Sequence, residues 1–131
     1  MITAVDTNML LDVFTADKTH GLESMQQLRR ICDMGTVVIC DIVYAELVPA
    51  FGEQAVLDSA LREISVSLSP INKEIAYEAG LRWQRYRESG GPRTRIITDF
   101  LIGAHGIVAA DAFLTRDRGF YTAYFPELQQ P

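Results

Sequence analysis

Short apolar runs alternate with longer segments of helical periodicity along this chain. The runs occupy residues 2–5, 36–40, 66–68 and 112–115, with a weaker run at 121–125. Short apolar runs bounded by polar or turn-forming residues are typical of buried strands. We therefore predict strands at these places, and the first of them stops at an acid, Asp6.

The segments between the runs carry apolar residues at intervals of three and four, as helices do. The predicted helices cover residues 8–14, 21–32, 42–48, 53–64, 72–88 and 99–108. Asp41 and Thr98 are expected to cap two of these helices. Pro49 and Gly52 are expected to break the helical conformation between the third helix and the fourth.

Strands that alternate with helices indicate an α/β fold with a mainly parallel sheet covered on both faces. A chain of 131 residues fits a single domain, here residues 1–131. In open sheets of this kind, functional sites form outside the carboxyl ends of the strands. Polar residues at those ends are therefore the first candidates for chemistry.

Composition and charge narrow the possible functions. Hydrophobic residues make up 48% and charged residues 22%, as in ordinary globular proteins. The net charge of -5 argues against indiscriminate nucleic-acid binding through a basic surface. No apolar stretch is long enough to span a membrane, and the start does not resemble a signal peptide, so we expect a cytoplasmic protein. Cys32 and Cys40 lack metal-ligand spacing and are expected to be buried free thiols.

Four acids far apart in the sequence are placed to meet at one sheet edge. Asp6 ends the first strand, and Glu46 lies about one turn into the helix after the second. Asp117 follows the last main strand by two residues. Asp99 opens the helix that leads into that strand, so it faces the same carboxyl edge.

Carboxylates crowded together repel one another unless cations compensate their charge. Oxygen ligands without nearby histidine or cysteine suit Mg²⁺ or Mn²⁺ better than zinc. Such ions can activate water for attack on a phosphodiester, which is nuclease or phosphatase chemistry. Thr7 and Asn8 are candidates for orienting the carboxylates through hydrogen bonds.

Each of these acids also has an ordinary structural interpretation. Asp6 and Asp99 fit helix caps, Asp117 fits a turn, and Glu46 fits the polar stripe of an amphipathic helix. Only the joint pattern points to a site. The remaining aspartates singled out along the chain are interpreted as surface or cap residues: Asp12, Asp33, Asp41, Asp58 and Asp111.

The chain resembles the PIN domains, and most closely the VapC-type toxins, which are small ribonucleases of prokaryotic toxin–antitoxin pairs. The resemblance rests on four motifs in order along the whole chain. They are Val5-Asp6-Thr7-Asn8 after the first strand, Glu46 in the helix after the second strand, the segment Thr98-Asp99-Phe-Leu-Ile-Gly-Ala-His105, and Leu114-Thr115-Arg116-Asp117 with Phe120.

This resemblance implies a three-layer α/β/α sandwich, RNA cleavage that depends on Mg²⁺ or Mn²⁺, a homodimer, and inhibition by a small antitoxin protein. Asp6, Glu46 and Asp99 match the family's core metal-binding acids, and Asp117 matches the fourth, more variable one. Asn8 matches the residue that supports the first acid, and Thr115 stands where a hydroxyl often lines the pocket. Gly106 departs from the helix-favouring residue that is usual at its position.

Arginines near the acids are candidates for binding RNA phosphates. Arg93 and Arg95 precede Asp99, while Arg116 and Arg118 flank Asp117. Solvated helix faces also produce such runs, so this assignment stays open.

Other residues fit structural roles better than functional ones. Trp83 and Tyr86 share a helix stripe with Ala76 and Ala79, which favours core packing over base stacking. His105 lies on an otherwise apolar helix and is expected to be structural. The apolar helix that carries Tyr44, Leu47, Val48 and Phe51 is either core or a groove for an antitoxin segment.

The acids alone do not distinguish a DNA-cutting nuclease of similar fold from a ribonuclease, and two further functions remain as alternatives. A haloacid-dehalogenase-type phosphatase also has an aspartate after its first strand, but that chemistry needs a second aspartate where this chain has Asn8. A PIN-like fold that only binds a partner, without catalysis, is the other alternative.

Overall fold

A four-stranded parallel sheet lies at the centre of the computed structural model, which describes residues 1–92 and 95–131. Its strands are β1 (Ile2–Val5), β2 (Thr36–Ile39), β3 (Val66–Leu68) and β4 (Ala112–Leu114), in the order β3-β2-β1-β4. Ala4 of β1 pairs with Val38 on one side and with Phe113 on the other. Because all the strand pairs are parallel, their carboxyl ends share one edge of the sheet.

Helices connect the strands and cover both faces of the sheet. They are α1 (Thr7–Phe14), α2 (Gly21–Met34), α3 (Asp41–Phe51), α4 (Gln54–Glu63), α5 (Lys73–Glu88), α6 (Ile97–Ala109) and α7 (Arg118–Tyr124). Neighbouring residues of a strand point to opposite faces of the sheet. Because Thr3, Ala4 and Val5 of β1 are all buried, both faces are covered there. The predicted three-layer α/β/α fold is thereby confirmed. Within the described part of the chain, none of the helices has the length and apolarity needed to cross a membrane.

The weak strand predicted at residues 121–125 is wrong, because this segment largely belongs to α7. The buried aromatic residues in and just after α7 are Phe120, Tyr121 and Phe125, and Tyr124 is half-buried. Spacings of one and four residues match one face of a helix and not the alternation of a strand. A short run of aromatic residues carries both signals, and packing decides between them.

The predicted helices differ from the structure by a few residues at their ends, and two predicted caps and one predicted break are wrong. Thr98 is not a cap but lies inside α6, which begins at Ile97. Asp41 is the first residue of α3 rather than its cap, and its carboxylate accepts a hydrogen bond from the Ile71 amide at 3.3 Å. Pro49 lies inside α3 and does not interrupt it, whereas Gly52 follows the last helical residue, Phe51, with a positive φ of 77° that suits glycine.

An aromatic cluster joins α5, α6 and α7. It comprises Tyr86, Phe100, Phe120, Tyr124 and Phe125. The rings of Phe100 and Phe120 meet edge to face with their centroids 5.4 Å apart. This packing fixes the starts of α6 and α7, and therefore the positions of Asp99 and Asp117, relative to each other.

Glycine in α6 makes room for aromatic rings. A Cβ atom on Gly103 would lie 2.6 Å from the ring of Phe125. A Cβ atom on Gly106 would lie 3.1 Å from both Phe113 and Leu128. The departure from the family pattern at Gly106 thus coincides with a tight contact between this helix and the sheet.

Candidate active site

Asp6 stands where β1 ends and α1 begins, and it is only 7% exposed. Its backbone amide donates to the Leu114 carbonyl at 2.9 Å, which continues the pairing with β4. Its carboxylate oxygen Oδ1 accepts a hydrogen bond from the Thr7 amide at 2.8 Å. Asp6 is therefore a helix cap, and the same geometry holds its carboxylate at the sheet edge.

Thr115 connects two of the candidate acids. Its hydroxyl donates to Asp6 Oδ2 at 2.7 Å and accepts from the Asp117 amide at 2.9 Å. Asn8 Nδ2 also donates to Asp6 Oδ2, at 3.3 Å. The bond between Thr115 and Asp6 is buried and the other two are partly buried, and together they hold the first and fourth acids in one arrangement.

Glu46 approaches the same edge from α3. It is exposed, and its Oε1 accepts a hydrogen bond from the Thr7 hydroxyl at 2.7 Å. Thr7 thus contacts Asp6 through its amide and Glu46 through its side chain. The structure places Glu46 next to the first acid, as the sequence analysis expects.

Asp117 is paired with a cation in this structure. Arg95 Nη1 lies 2.7 Å from Asp117 Oδ2, and both side chains are about one-third exposed. The Arg95 guanidinium also lies 4.2 Å from the centre of the Phe120 ring. The arginine is thereby held against the aromatic cluster with its charge directed at the acid.

Asp99 lies in the first turn of α6 and is half-buried. Its carboxylate accepts a hydrogen bond from the Ile96 amide at 3.3 Å. Asp99, Asp6 and Asp117 all act electrostatically on one buried side chain, Tyr121 of α7. The three acids therefore lie near the same buried side chain.

Tyr121 is a site residue that the sequence analysis missed. It is 3% exposed, and burial raises the pKa of its hydroxyl well above the usual range, with a further rise from the nearby acids. The hydroxyl therefore stays neutral beside the acids. Its assignment to a strand hid it, whereas helical spacing with Phe120 and Phe125 would have placed it on the inner face of a helix.

Burial raises the pKa of Asp6 to about 6. The hydrogen bonds from Thr115 and from the Thr7 amide oppose this shift. The negative charges of Glu46 and Asp117 raise the pKa further. The negative charge of Asp6 is thus incompletely compensated by the protein, and a bound cation would favour it.

The donor set suits a hard divalent cation, because every candidate ligand is a carboxylate oxygen. Among residues 1–92 and 95–131, however, no three acid, histidine or cysteine side chains are gathered closely enough to hold an ion as they stand. Asp117 is turned to Arg95 and Glu46 to Thr7. The chemistry fits a metal site, and assembly of that site requires side chains to exchange partners.

Asp12 is not the surface or cap residue that the sequence analysis predicted. It is 4% exposed and accepts hydrogen bonds from Arg116 Nε and Nη2 at 2.6 and 2.9 Å. Ser24 donates to it at 2.7 Å. The partners come from a different helix and from the turn after β4, so the spacing of residues along the sequence gives no sign of them.

The candidate RNA-binding arginines have different surroundings. Arg116 is engaged by Asp12, Arg95 is paired with Asp117, and Arg118 is exposed at the start of α7. Arg93 lies outside the described residues.

The residues assigned to the core are mostly buried. His105 is 1% exposed and burial lowers its pKa, as a structural histidine requires. Tyr86 and Ala79 are buried, Trp83 is half-buried, and Ala76 is exposed instead of sharing their stripe. Cys40 is buried and Cys32 half-buried, and both thiols are free.

Comparisons with known proteins agree with this architecture. The sequence model of the PIN domain family matches residues 3–126. No sequence match to a curated protein reaches significance.

Solved structures of toxin–antitoxin proteins have a similar fold. VapBC2 from Rickettsia felis, bound to a DNA fragment from its promoter, matches with a TM-score of 0.78 at 20% identity, covering 100% of this chain and 98% of that chain. VapBC-1 from nontypeable Haemophilus influenzae matches with a TM-score of 0.71 at 21% identity, covering 100% and 97%. VapC20 from Mycobacterium tuberculosis, a toxin that cleaves the sarcin–ricin loop, matches with a TM-score of 0.64 at 18% identity, covering 97% and 98%.

Proposed function

This chain belongs to the PIN domain family, and on that premise we propose that it is an endoribonuclease dependent on Mg²⁺ or Mn²⁺. Asp6, Glu46, Asp99 and Asp117 hold the ions. The observation that carries the proposal is the buried Asp6 carboxylate, whose partner Thr115 also binds the Asp117 amide. Such a costly arrangement of acids at the open edge of a parallel sheet is typical of a functional site.

Bound divalent ions supply the positive charge that stabilises a reacting phosphodiester and that activates water for the attack. The chain's own residues position the ligands. Thr7, Asn8 and Thr115 fix the orientation of Asp6 and Glu46 through hydrogen bonds. Asp117 becomes available to an ion when its ion pair with Arg95 breaks.

The arginines divide between structure and substrate. Arg95, Arg118 and Arg93 are proposed to bind RNA phosphates beside the acids. Arg116 is instead assigned chiefly to holding the turn after β4 against Asp12, since two of its nitrogen atoms donate to that buried carboxylate.

We further propose that the protein is the toxin of a type II toxin–antitoxin pair, acting in the cytoplasm as a homodimer. Leu47 is fully buried and belongs to the core, so it does not line a groove. Val48 and Val56 are 42% and 48% exposed and offer apolar surface on α3 and α4 for an antitoxin segment. A basic antitoxin side chain that entered the acidic site would compete with the ions there.

Cleavage of RNA by the purified chain, without antitoxin, tests the enzymatic proposal. We expect cleavage with Mg²⁺ or Mn²⁺ and none with EDTA. Asp6→Asn and Asp99→Asn should each lower kcat by about a hundredfold or more while circular dichroism shows a folded protein. Asp33→Asn removes the same charge from an exposed position on α2 and serves as the control.

Full activity in both active-site variants would overturn the site assignment. A folded protein that neither binds Mn²⁺ in calorimetry nor cleaves RNA would favour the binding module instead. Membership of the PIN family sets aside the phosphatase alternative, and Asn8 here donates a hydrogen bond to Asp6.

A further inference from the structure

A cavity of about 660 Å³ lies between the second half of α5 and residues 91–92 and 95–97, next to the Arg95–Asp117 pair. Trp83, Arg87, Arg95 and Ile96 are among the residues that line it. Its volume is within the usual range for sites that bind small organic groups. Its lining combines aromatic and aliphatic surface with two positive charges.

Trp83 and Arg87 form a stacked pair in this cavity. The Arg87 guanidinium lies 4.9 Å from the centre of the indole ring. Trp83 is half-buried and Arg87 is exposed, so the pair is anchored on the protein side and open to solvent. RNA-binding proteins stack unpaired bases on aromatic rings and on the planes of arginine guanidinium groups. Ile96, which is 57% exposed, adds apolar surface to the cavity.

Arg95 makes the cavity continuous with the acids. The same side chain lines the cavity and contacts Asp117 at 2.7 Å. A phosphate bound at Arg95 would therefore lie next to both the cavity and Asp117. A nucleotide adjoining such a phosphate would have its base within reach of the cavity.

Two arginines, Arg87 and Arg95, line this cavity although the chain as a whole is acidic. Along the sequence, five of the chain's 12 Lys and Arg residues fall between positions 82 and 95, although the net charge of the chain is -5. Arg82 is neutralised by Glu78 and Glu127. Arg87 and Arg95 line the cavity, where Arg95 is also paired with Asp117, and this positive lining favours a polyanion as the ligand.

We propose that this cavity binds a nucleobase of single-stranded RNA, with the base stacked against Trp83 and Arg87 and its neighbouring phosphate at Arg95. The inference rests on the proposed ribonuclease function and assigns to that site a base-binding position outside the acids. The base must be unpaired to enter, so the cavity selects single strands or loops over duplex. Stacking tolerates different bases, and the cavity therefore contributes affinity and register more than a strict sequence.

Trp83 is the chain's only tryptophan, so its fluorescence reports directly on the cavity. We would titrate the Asp6→Asn protein, in which cleavage is suppressed, with a short single-stranded RNA of mixed sequence in Mg²⁺. A matched oligomer with the same phosphates but abasic riboses is the ligand control. RNA should quench the Trp83 emission, and the abasic oligomer should leave it nearly unchanged.

Affinity for fluorescently labelled RNA, measured by anisotropy in the same background, gives the second readout. Trp83→Ala is expected to weaken binding about fivefold or more, and Trp83→Phe to restore it to within about twofold. Tyr77→Ala removes an aromatic ring that is 70% exposed and lies on the same helix, and it should leave affinity unchanged. Rescue by phenylalanine separates stacking from a loss of folding.

Equal RNA affinity with and without the Trp83→Ala substitution would overturn the proposal, and so would equal quenching by the abasic oligomer. The first result would favour a protein partner as the ligand of the cavity. Either failure is distinct from that of the proposed function, which would show as the absence of RNA cleavage by the unmodified protein in Mg²⁺ or Mn²⁺. That outcome would overturn both proposals.

Discussion

The Asp6 carboxylate is buried, and its pKa is raised from 3.8 to about 6, chiefly by that burial. The folded chain thus binds this proton more tightly than the unfolded chain does. The stability contributed by the protonated group is present below about pH 4 and is lost as the pH rises through about 6. Near neutrality the ionised carboxylate therefore lowers the free energy of unfolding of the metal-free protein by on the order of 3 kcal/mol.

Asp6→Asn should remove this electrostatic cost while nearly keeping the shape of the side chain. In EDTA near pH 8, we expect its free energy of unfolding to exceed that of the unmodified protein by about 2 kcal/mol, with little difference near pH 4. Urea titrations at the two pH values measure the change, and Asp33→Asn is the exposed control. A variant that is less stable than the unmodified protein near pH 8 would contradict the expectation.

Arg95 neutralises Asp117 and thus competes with any cation for that carboxylate. Arg95→Gln is expected to tighten Mn²⁺ binding about fivefold, since a partly exposed ion pair is worth up to about 1 kcal/mol. Isothermal calorimetry measures the change. Arg85→Gln removes the same charge from an exposed position on α5, and it should have a smaller effect. Equal affinities in the two variants would mean that loss of net charge, and not release of Asp117, is responsible.

Among the elements, the sequence predicts β1 and β3 at their observed bounds, because Asp6 ends the first apolar run and Ser65 and Ser69 flank the other. The start of α6 is misplaced because the bond from the Ile96 amide to Asp99 depends on how the chain enters the helix. Residue types alone favour Thr98 as the cap. The path of a loop into a helix thus has only a weak signature in the sequence.

Gly103 and Gly80 lie in two packed helices, yet alanine should have opposite effects at them. A Cβ atom at position 103 would lie 2.6 Å from the buried Phe125 ring, whereas among the residues that the structure describes none has an atom within 4 Å of one at position 80. Gly103→Ala should lower the free energy of unfolding by about 1–3 kcal/mol through overpacking. Gly80→Ala should raise it by about 0.5–1 kcal/mol, because alanine favours the helix.

Chemical denaturation of both variants measures these two changes. A stabilised Gly103→Ala protein would show that the aromatic cluster yields easily, and that the start of α6 is less firmly positioned than the packing indicates.

For the molecule as a whole, topology explains why the sequence predicts the candidate acids at one edge of the sheet. Asp6, Glu46 and Asp117 each follow a strand, and parallel strands bring their ends to one edge. The partners of the acids could not be predicted in this way. Arg95 meets Asp117, and Arg116 meets Asp12, through side-chain placements that depend on the packing of distant segments.

Metal binding should stabilise the entire fold, because the proposed ligands come from four separate segments that only the folded sheet brings together. Mn²⁺ at about 100 times its dissociation constant would add about 2.7 kcal/mol to the free energy of unfolding. Thermal unfolding with Mn²⁺, and again after excess EDTA, measures a reversible rise in Tm. The Asp6→Asn protein should show little of this rise, and an equal rise in that variant would place the ion elsewhere.

The position of Arg95 between the acids and the Trp83 cavity makes the two proposed ligands thermodynamically dependent on each other. Binding of an ion to Asp117 would leave the Arg95 guanidinium available to a phosphate. Binding of a phosphate to the guanidinium would leave Asp117 available to an ion. Linkage requires the two effects to be reciprocal, so the factor by which metal tightens RNA binding equals the factor by which RNA tightens metal binding. One arginine would thereby make occupancy of the site cooperative, favouring the empty protein and the fully loaded complex over either half-loaded form.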